Sequence, residues 1–322
     1  MDNQQVKKKK LLGKNIMGEL GALIALVLLC IVMSILTPNF LTGTNLLNIL
    51  VQITVISIIA AGMTFVVITG GIDLSVGSTV ALCGLLLGIF MVNMGMPVWL
   101  SVAIVLVVGA VIGLINGVFI SYLSLPPFIA TLGTMSIVRG AAYTVTGGQP
   151  IYTFPKEFLG FASKIGGVFP LPILIMIIVF VIAIYIQKNT KLGRYCYAIG
   201  GSEASSILSG INVKAYKTTV YCILGFLCAL ASCILTARLD SAVSVAGDGY
   251  ELDAIASVVI GGTSMSGGEG KIMGTIIGSL IMGVVSNGLN LLTVPTGSQR
   301  MIKGAIIIIA VLIDIYRRRK RS

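Results

Sequence analysis

The stretch VWLSVAIVLVVGAVIGLINGVFIS, residues 98–121, contains no charged side chain and carries Gly109, Gly113 and Gly117 at four-residue spacing. An α-helix rises about 1.5 Å per residue, so a stretch of this length can cross the roughly 30 Å hydrocarbon core of a bilayer. The three glycines fall on one face, where small residues let a neighbouring helix approach closely within lipid. The stretch therefore predicts a transmembrane helix that packs tightly in a bundle.

The rest of the chain has the same character. Of its 322 residues, 56% are hydrophobic and only 10% are charged, whereas a soluble domain has about a quarter charged residues. Apolar stretches recur at residues 19–36, 46–69, 75–93, 98–121, 127–146, 169–187, 217–237, 252–263, 271–292 and 299–316. We therefore predict an all-α polytopic membrane protein with about ten transmembrane helices, whose membrane domain covers residues 19–316.

The eighth stretch, residues 252–263, is too short to cross a bilayer alone. It is either a half-helix or a tilted helix that the following turn, GGTSMSGG, completes. The segment VVIGGTSMSGG, residues 258–268, also echoes VITGGIDLSVG, residues 67–77, in its paired glycines, one serine and the last glycine. Such an echo is compatible with a duplicated unit, a feature of many transporters.

The charge distribution predicts the orientation. The chain has 22 basic and 11 acidic residues, a formal net charge of +11. The basic residues cluster beside apolar stretches, in the tail 1–18, the loop 188–217 and the tail 317–322. Basic loops stay on the cytoplasmic side, so both termini and loop 188–217 are predicted to be cytoplasmic. The pattern indicates a lipid bilayer as the environment and argues against a nucleic-acid partner.

Composition also excludes several kinds of site. The sequence has no histidine, and its six cysteines show no C-x-x-C spacing, so we predict no metal site. The stretch GGEGKIMG, residues 267–274, lacks the first Gly and the Ser or Thr of a Walker A loop, and is interpreted as a flexible turn. No cofactor is expected on this chain, and any ATP would bind to another subunit.

Loop 188–217 contains a polar island, GGSEASSILSG, residues 200–210. Ser202 favours an N-cap, Glu203 favours the positive end of a helix, and Gly210 favours a C-terminal stop. The island therefore predicts about two turns of helix with two apolar knobs, too short to be stable without a partner surface. It is either a docking element or merely an ordered cytoplasmic loop. The docking residues would be Gly200, Gly201, Ser202, Glu203, Ala204, Ser205, Ile207, Leu208 and Gly210.

Loop 238–253 is the one acidic patch of the sequence, with four carboxylates against Arg238. The alternation of predicted spans places this loop outside the cytoplasm, where it would dock a partner electrostatically. Arg300 and Lys303, near the start of the last span, are expected to snorkel towards it. The predicted docking carboxylates are Asp240, Asp248, Glu251 and Asp253.

Two ionisable side chains lie at or within predicted spans. Asp73 either caps the third helix or belongs to the transport path or its gate. Arg139 snorkels, joins an internal hydrogen-bond network or contacts a ligand. Amides in spans either hold helices together or bind hydroxyl groups, and the scarcity of buried charge favours an uncharged polar cargo. The candidate path residues are Asn48, Gln52, Asp73, Asn116, Arg139, Asn287 and Asn290.

Four blocks carry a family resemblance: GGIDLSVGS (70–78), LPPFIATLGTMSIVRG (125–140), LGRYCYAIGGSEASSILSGINV (192–213) and GYELDAIASVVIGGTSMSGGEGKIMGT (249–275). Together they resemble the permease subunits of bacterial ABC importers for ribose, xylose, galactose and related sugars. The resemblance implies a second permease copy, ATPase subunits that bind ATP and Mg²⁺, and an extracytoplasmic sugar-binding protein. It also implies that residues 200–210 contact the ATPase.

We therefore expect a permease of the bacterial inner membrane that forms the path for a neutral, ribose-like monosaccharide and is not itself an enzyme. The alternative is an ion-coupled secondary transporter that uses Asp73 as its titrating carboxylate. An intramembrane enzyme has little support, because the chain has no histidine and no clustered Ser-Lys or paired Asp.

Overall fold

The computed structural model describes residues 21–319 except Val168. The predicted tail 1–18 and residues 320–322 of the tail 317–322 lie outside the described residues. The α-helices are α1 Gly21–Leu36, α2 Gly43–Ile68, α3 Val76–Gly88 (continued by a π-helical turn, Ile89–Asn93), α4 Val98–Ser121, α5 Pro127–Thr144, α6 Lys156–Leu159, α7 Leu171–Asn189, α8 Lys191–Gly201, α9 Glu203–Leu208, α10 Val213–Leu239, α11 Tyr250–Ile260, α12 Ile272–Leu291 and α13 Thr296–Arg319.

Short strands join the connecting loops. They are β1 Ile151–Tyr152, β2 Lys164–Ile165, β3 Phe169–Pro170 and β4 Ser241–Ala242, with a 3-10 turn at Gly160–Ala162. β1 pairs antiparallel with β4, so the loop after α5 is bound to the loop after α10. β2 pairs antiparallel with β3 within the former loop.

Within the described residues, six helices are long and apolar enough to cross a membrane: α2, α3 with its π-helical turn, α4, α7, α10 and α12. The all-α polytopic class is therefore confirmed, while ten crossings and cytoplasmic termini stay predictions. The predicted span 252–263 is the shorter helix Tyr250–Ile260, whose 11 residues reach only about 16 Å. The turn after it is not helical, so the half-helix is the alternative that the geometry supports.

Several predicted helix ends were displaced, because polar side chains cap the helices earlier than hydropathy indicates. The helix predicted at 46–69 begins at Gly43, where the Thr42 hydroxyl accepts the backbone N–H of Asn45. The helix predicted at 217–237 begins at Val213, where the Asn212 side chain accepts the N–H of Ala215. Such caps satisfy backbone donors that a helix start leaves free.

The centre of the bundle is formed by α2 and α10, with α10 packing on α4, α2 and α3, and α12 packing on α2 and α11. The glycine face predicted for α4 is confirmed. A Cβ atom added to Gly113 would overlap the carbonyl oxygen of Tyr221 on α10, and one added to Gly225 would overlap that of Gly109. The two helices therefore cross with their backbones in contact, as small residues permit.

Candidate functional site

The predicted island helix is present as α9. The Ser202 hydroxyl accepts the N–H of Ser205 at 3.2 Å, which is the predicted N-cap. At the other end Gly210 has φ +78°, and its N–H bonds to the carbonyl of Ile207. The N–H of Ile211 bonds to the carbonyl of Ser206, which completes a Schellman motif. The sequence signals of both helix ends were therefore correct.

One side of α9 is exposed to solvent, and the other contacts the rest of the chain. The side chains of Ile207 and Leu208 are 58% and 89% exposed, whereas Ser206 is buried. Glu203 forms an ion pair of 2.5 Å with Lys217 on α10. The helix is thus fixed to the start of α10 and presents two apolar side chains outward, an arrangement typical of a protein-docking surface.

A helix before the island was not predicted. α8 begins at Lys191, and its N-cap is Thr190, whose hydroxyl accepts the N–H of Gly193. Its buried face carries Cys196 and Ile199, and burial raises the pKa of the Cys196 thiol to about 12, so the thiol stays neutral. The spacing of Leu192, Cys196 and Ile199 was a helical signal that the basic composition of the loop obscured.

Asp73 lies in the loop between α2 and α3 and is 3% exposed. It does not cap α3, as one hypothesis had it, because the N-cap is Ser75. Its Oδ1 instead accepts the N–H of Ser75 at 2.8 Å and the hydroxyl of Ser75 at 2.6 Å. Asn116 on α4 donates to Asp73 Oδ2 at 3.2 Å. Asp73 therefore fixes the turn that leads into α3 and ties it to α4.

The carboxylates of loop 238–253 are largely engaged within the chain. Asp240 accepts the N–H of Phe154, which reinforces the β1–β4 pairing. The predicted snorkelling of two cations towards this loop is confirmed, with ion pairs of 2.7 Å between Arg300 and Asp248 and 2.8 Å between Lys303 and Asp253. The second pair is the more buried, with side chains 23% and 13% exposed.

Arg139 on α5 joins an internal hydrogen-bond network, one of the predicted alternatives. Its Nη1 donates to the carbonyl of Ser244 at 2.6 Å and to that of Ala246 at 2.9 Å. Both acceptors belong to loop 238–253, so Arg139 anchors the middle of this loop to α5.

The predicted path residues do not meet at one place. Asp73 and Asn116 lie together, and Arg139 lies at the acidic loop. Asn287 exchanges two hydrogen bonds with Asn45, which sequence reasoning missed because nothing local marks the pair. The remaining members lie on helix surfaces, where Asn290 accepts from Gln299, and Asn48 and Gln52 are exposed one turn apart on α2.

The two echoed segments touch. The N–H of Gly268 donates to the carbonyl of Ile68 at 2.9 Å. Both segments also end a helix in the same way, with Gly70 at φ +78° after α2 and Gly262 at φ +89° after α11. The equivalence is displaced by one residue from the sequence echo. A positive φ favours glycine, which accounts for one Gly of each pair.

A family model for the permease component of branched-chain amino acid transport systems matches residues 45–311. The chain belongs to this permease family. The permease is 47% identical to the ribose import permease protein of Haemophilus influenzae over 302 residues, which are 92% of this chain and 93% of the relative. It is 46% identical to that of Bacillus subtilis over 321 residues, 99% and 98% of the two chains.

A D-allose transport system permease protein of Escherichia coli is 39% identical to this permease over 297 residues, covering 91% and 90% of the two chains. No solved structure matches the permease. The resemblance to sugar-importer permeases is thereby confirmed over nearly the whole chain.

Proposed function

We propose that this permease forms the membrane path of an ATP-driven importer for a neutral, ribose-like monosaccharide in the bacterial inner membrane. The observation that carries the proposal is the 46–47% identity to ribose import permeases over nearly the full length of both chains. The relative named for D-allose extends the likeness to another neutral sugar.

In the proposed arrangement ten segments of the chain cross the membrane, the half-helix α11 doing so together with its flanking loops, and both termini and α9 lie in the cytoplasm. The start of α10 adjoins α9 and its end adjoins loop 238–253. Its 27 residues separate these regions by about 40 Å, more than the thickness of the hydrocarbon core. This separation supports an ATPase subunit, with its ATP and Mg²⁺, at α9 and a sugar-binding protein at the opposite end.

A second copy of the permease completes the path in this proposal. The scattered positions of the predicted path residues favour it, because one chain does not bring them to a common lining. Asp73 and Asn116 act as internal supports for the turn before α3, and Arg139 as an anchor for loop 238–253.

The ion-coupled alternative is less well supported. It required Asp73 to exchange an ion with the path, but the carboxylate is buried and accepts hydrogen bonds from Ser75 and Asn116. A carboxylate held in this way positions a turn, and the relatives are named as importers of sugars rather than as ion-coupled carriers.

The test is sugar uptake into proteoliposomes that contain the permease, its ATPase subunit and a ribose-loaded binding protein. Uptake is expected only when ATP and the binding protein are both present, and an imposed proton or sodium gradient should not replace ATP. Excess unlabelled ribose serves as the competition control. Accumulation that follows a gradient without ATP would contradict the proposal and establish the alternative.

A further inference from the structure

Three backbone segments meet behind α9 with no side chain between them. Gly200, in the last turn of α8, lies against the end of α2 at Ile68 and against Gly268 in the turn between α11 and α12. A Cβ atom added to Gly200 would overlap both the carbonyl oxygen of Ile68 and the N–H of Gly268. We call this contact of Gly200, Ile68 and Gly268 the glycine junction.

Two hydrogen bonds fasten the glycine junction. The N–H of Gly268 donates to the carbonyl of Ile68 at 2.9 Å, and the Tyr197 hydroxyl on α8 donates to the carbonyl of Gly270 at 2.5 Å. Burial raises the pKa of the Tyr197 hydroxyl to about 12, so it remains a donor at physiological pH. The turn 261–271 is therefore bound both to α2 and to α8.

Each segment of the junction leads into a different part of the bundle. The loop that follows Ile68 is held by Tyr221 on α10, whose hydroxyl donates to the carbonyl of Ile72 at 3.2 Å. The turn that contains Gly268 leads into α12, whose first N–H, on Ile272, is bound by the side chain of Gln187 on α7. Through these contacts the glycine junction connects α8 to α2, α10 and α12.

We propose that the glycine junction is the joint through which movement of α8 and α9 is relayed to α2 and α12 during transport. This inference rests on the proposed function, in which an ATPase subunit moves α9. When one backbone segment moves, a segment in direct contact with it must move as well, because packed interiors are only slightly compressible. No side chain lies between the two that could change its rotamer and absorb the movement. Gly200, Gly268 and Tyr197 are in this view positioning residues that couple ATP hydrolysis to opening of the path.

The chain offers a matched pair of variants. Gly133 also lies inside a helix, α5, but a Cβ atom added there would meet nothing within 4 Å, and it belongs to none of the predicted docking or path residues. Gly200→Ala and Gly133→Ala both improve helix propensity, so a difference between them reports on the junction. ATP hydrolysis and ribose uptake are measured together in proteoliposomes that contain the full complex.

Gly200→Ala is expected to lower uptake at least about tenfold, within the range of known coupling between sites, while ATP hydrolysis stays near the wild-type rate. Gly133→Ala should keep both activities. If Gly200→Ala transports normally, or loses hydrolysis and uptake in proportion, the inference is wrong. Should Gly200→Ala fail to accumulate in the membrane, Tyr197→Phe decides: more ATP hydrolysed per sugar supports the joint, and an unchanged ratio overturns it.

Leu208→Asp, measured in the same assay, shows whether a failure concerns the glycine junction or the proposed docking of the ATPase on α9. Detachment of the ATPase by Leu208→Asp, together with normal coupling in Gly200→Ala, would overturn only the joint. If Leu208→Asp leaves the ATPase attached and active, the docking role of α9 itself is wrong.

Discussion

The two ends of α10 carry segments of opposite character. At its start, α9 leaves Ile207 and Leu208 in solvent, although such side chains gain free energy when they are buried. At its end, loop 238–253 has its main carboxylates bound by Arg300, Lys303 and the backbone of Phe154. The first segment leaves two apolar side chains unburied, whereas the carboxylates of the second are already bound by its own chain. In the proposed arrangement this difference assigns the tightly bound partner to α9, and the acidic loop chiefly stabilises its own end of the permease.

Leu208→Asp tests the α9 side of this comparison and should have the largest effect. A charge at the most exposed apolar position should weaken ATPase binding by about 30-fold, the cost of losing a typical hot spot of about 2 kcal/mol. Thermal stability should not change, because Leu208 is not packed in the isolated chain.

Co-purification of the ATPase subunit measures this effect, with Leu208→Met as the apolar control. Wild-type co-purification of Leu208→Asp would show that the exposed face of α9 is not the docking surface, and the comparison between the two ends would fail.

Arg139→Gln tests the contact that stabilises loop 238–253 at the other end of α10. The substitution removes a cationic donor from the carbonyls of Ser244 and Ala246, and hydrogen bonds to charged groups contribute about 1.5–3 kcal/mol. The unfolding temperature in detergent should therefore fall, while the ATPase subunit should still co-purify. Arg139→Lys, which keeps the charge, should be intermediate. An unchanged unfolding temperature would mean that the loop does not depend on this anchor.

Asp73→Ala and Asp73→Asn test the turn before α3, which lies at neither end of α10, for its contribution to stability and transport. Asp73→Ala removes the acceptor of the Ser75 N–H and hydroxyl and one of the two acceptors of Asn116, which still donates to the Ser75 hydroxyl oxygen. The free energy of unfolding should fall by about 1–3 kcal/mol. Asp73→Asn should cost less, because the Asn116 amide has an unpaired Oδ1 that can rotate to accept the new side-chain N–H. Denaturant titration and uptake measure both variants. Equal loss of uptake in both, with unfolding unaffected, would restore a titrating role for Asp73.

Asp248→Asn should have the smallest effect. Its ion pair with Arg300 is exposed, and exposed pairs contribute only about 0–1 kcal/mol. If the binding protein reads this charge, its stimulation of ATP hydrolysis should fall by less than about threefold, and the difference should vanish at high salt. Glu157→Gln, an exposed carboxylate on α6, is the control. A large, salt-independent loss would assign the acidic loop a specific docking role instead.

The confirmed predictions depend on interactions between residues that are close together in the sequence. The caps at Ser202 and Gly210 depend on side chains and backbone within a few residues, so the sequence of the island contains all that they need. The glycine face of α4 was visible because its spacing equals the helical repeat. The length of one apolar stretch showed that residues 252–263 are too few to cross alone, but it left the half-helix and the tilted helix open.

The missed features depend on residues far apart in sequence. The pair Asn45–Asn287 and the contact of Gly200 with Gly268 arise only when distant segments pack, and no local pattern marks them. α8 was overlooked because its lysine and its arginine resemble those of a solvated loop, although its apolar positions follow helical spacing. The path residues stayed undetermined because amides hold helices together as readily as they bind a solute.

The anchor that the hydrogen bonds of Arg139 form uses main-chain oxygens of its loop. Every amino acid supplies the same carbonyl, so the anchor is indifferent to the side chains beside it. Val245, between the two anchored residues, is exposed and takes no part in the contact. If this loop faces the delivery protein as proposed, its side chains can therefore change during evolution to suit a new delivery protein, while these hydrogen bonds to the membrane domain are inherited unchanged.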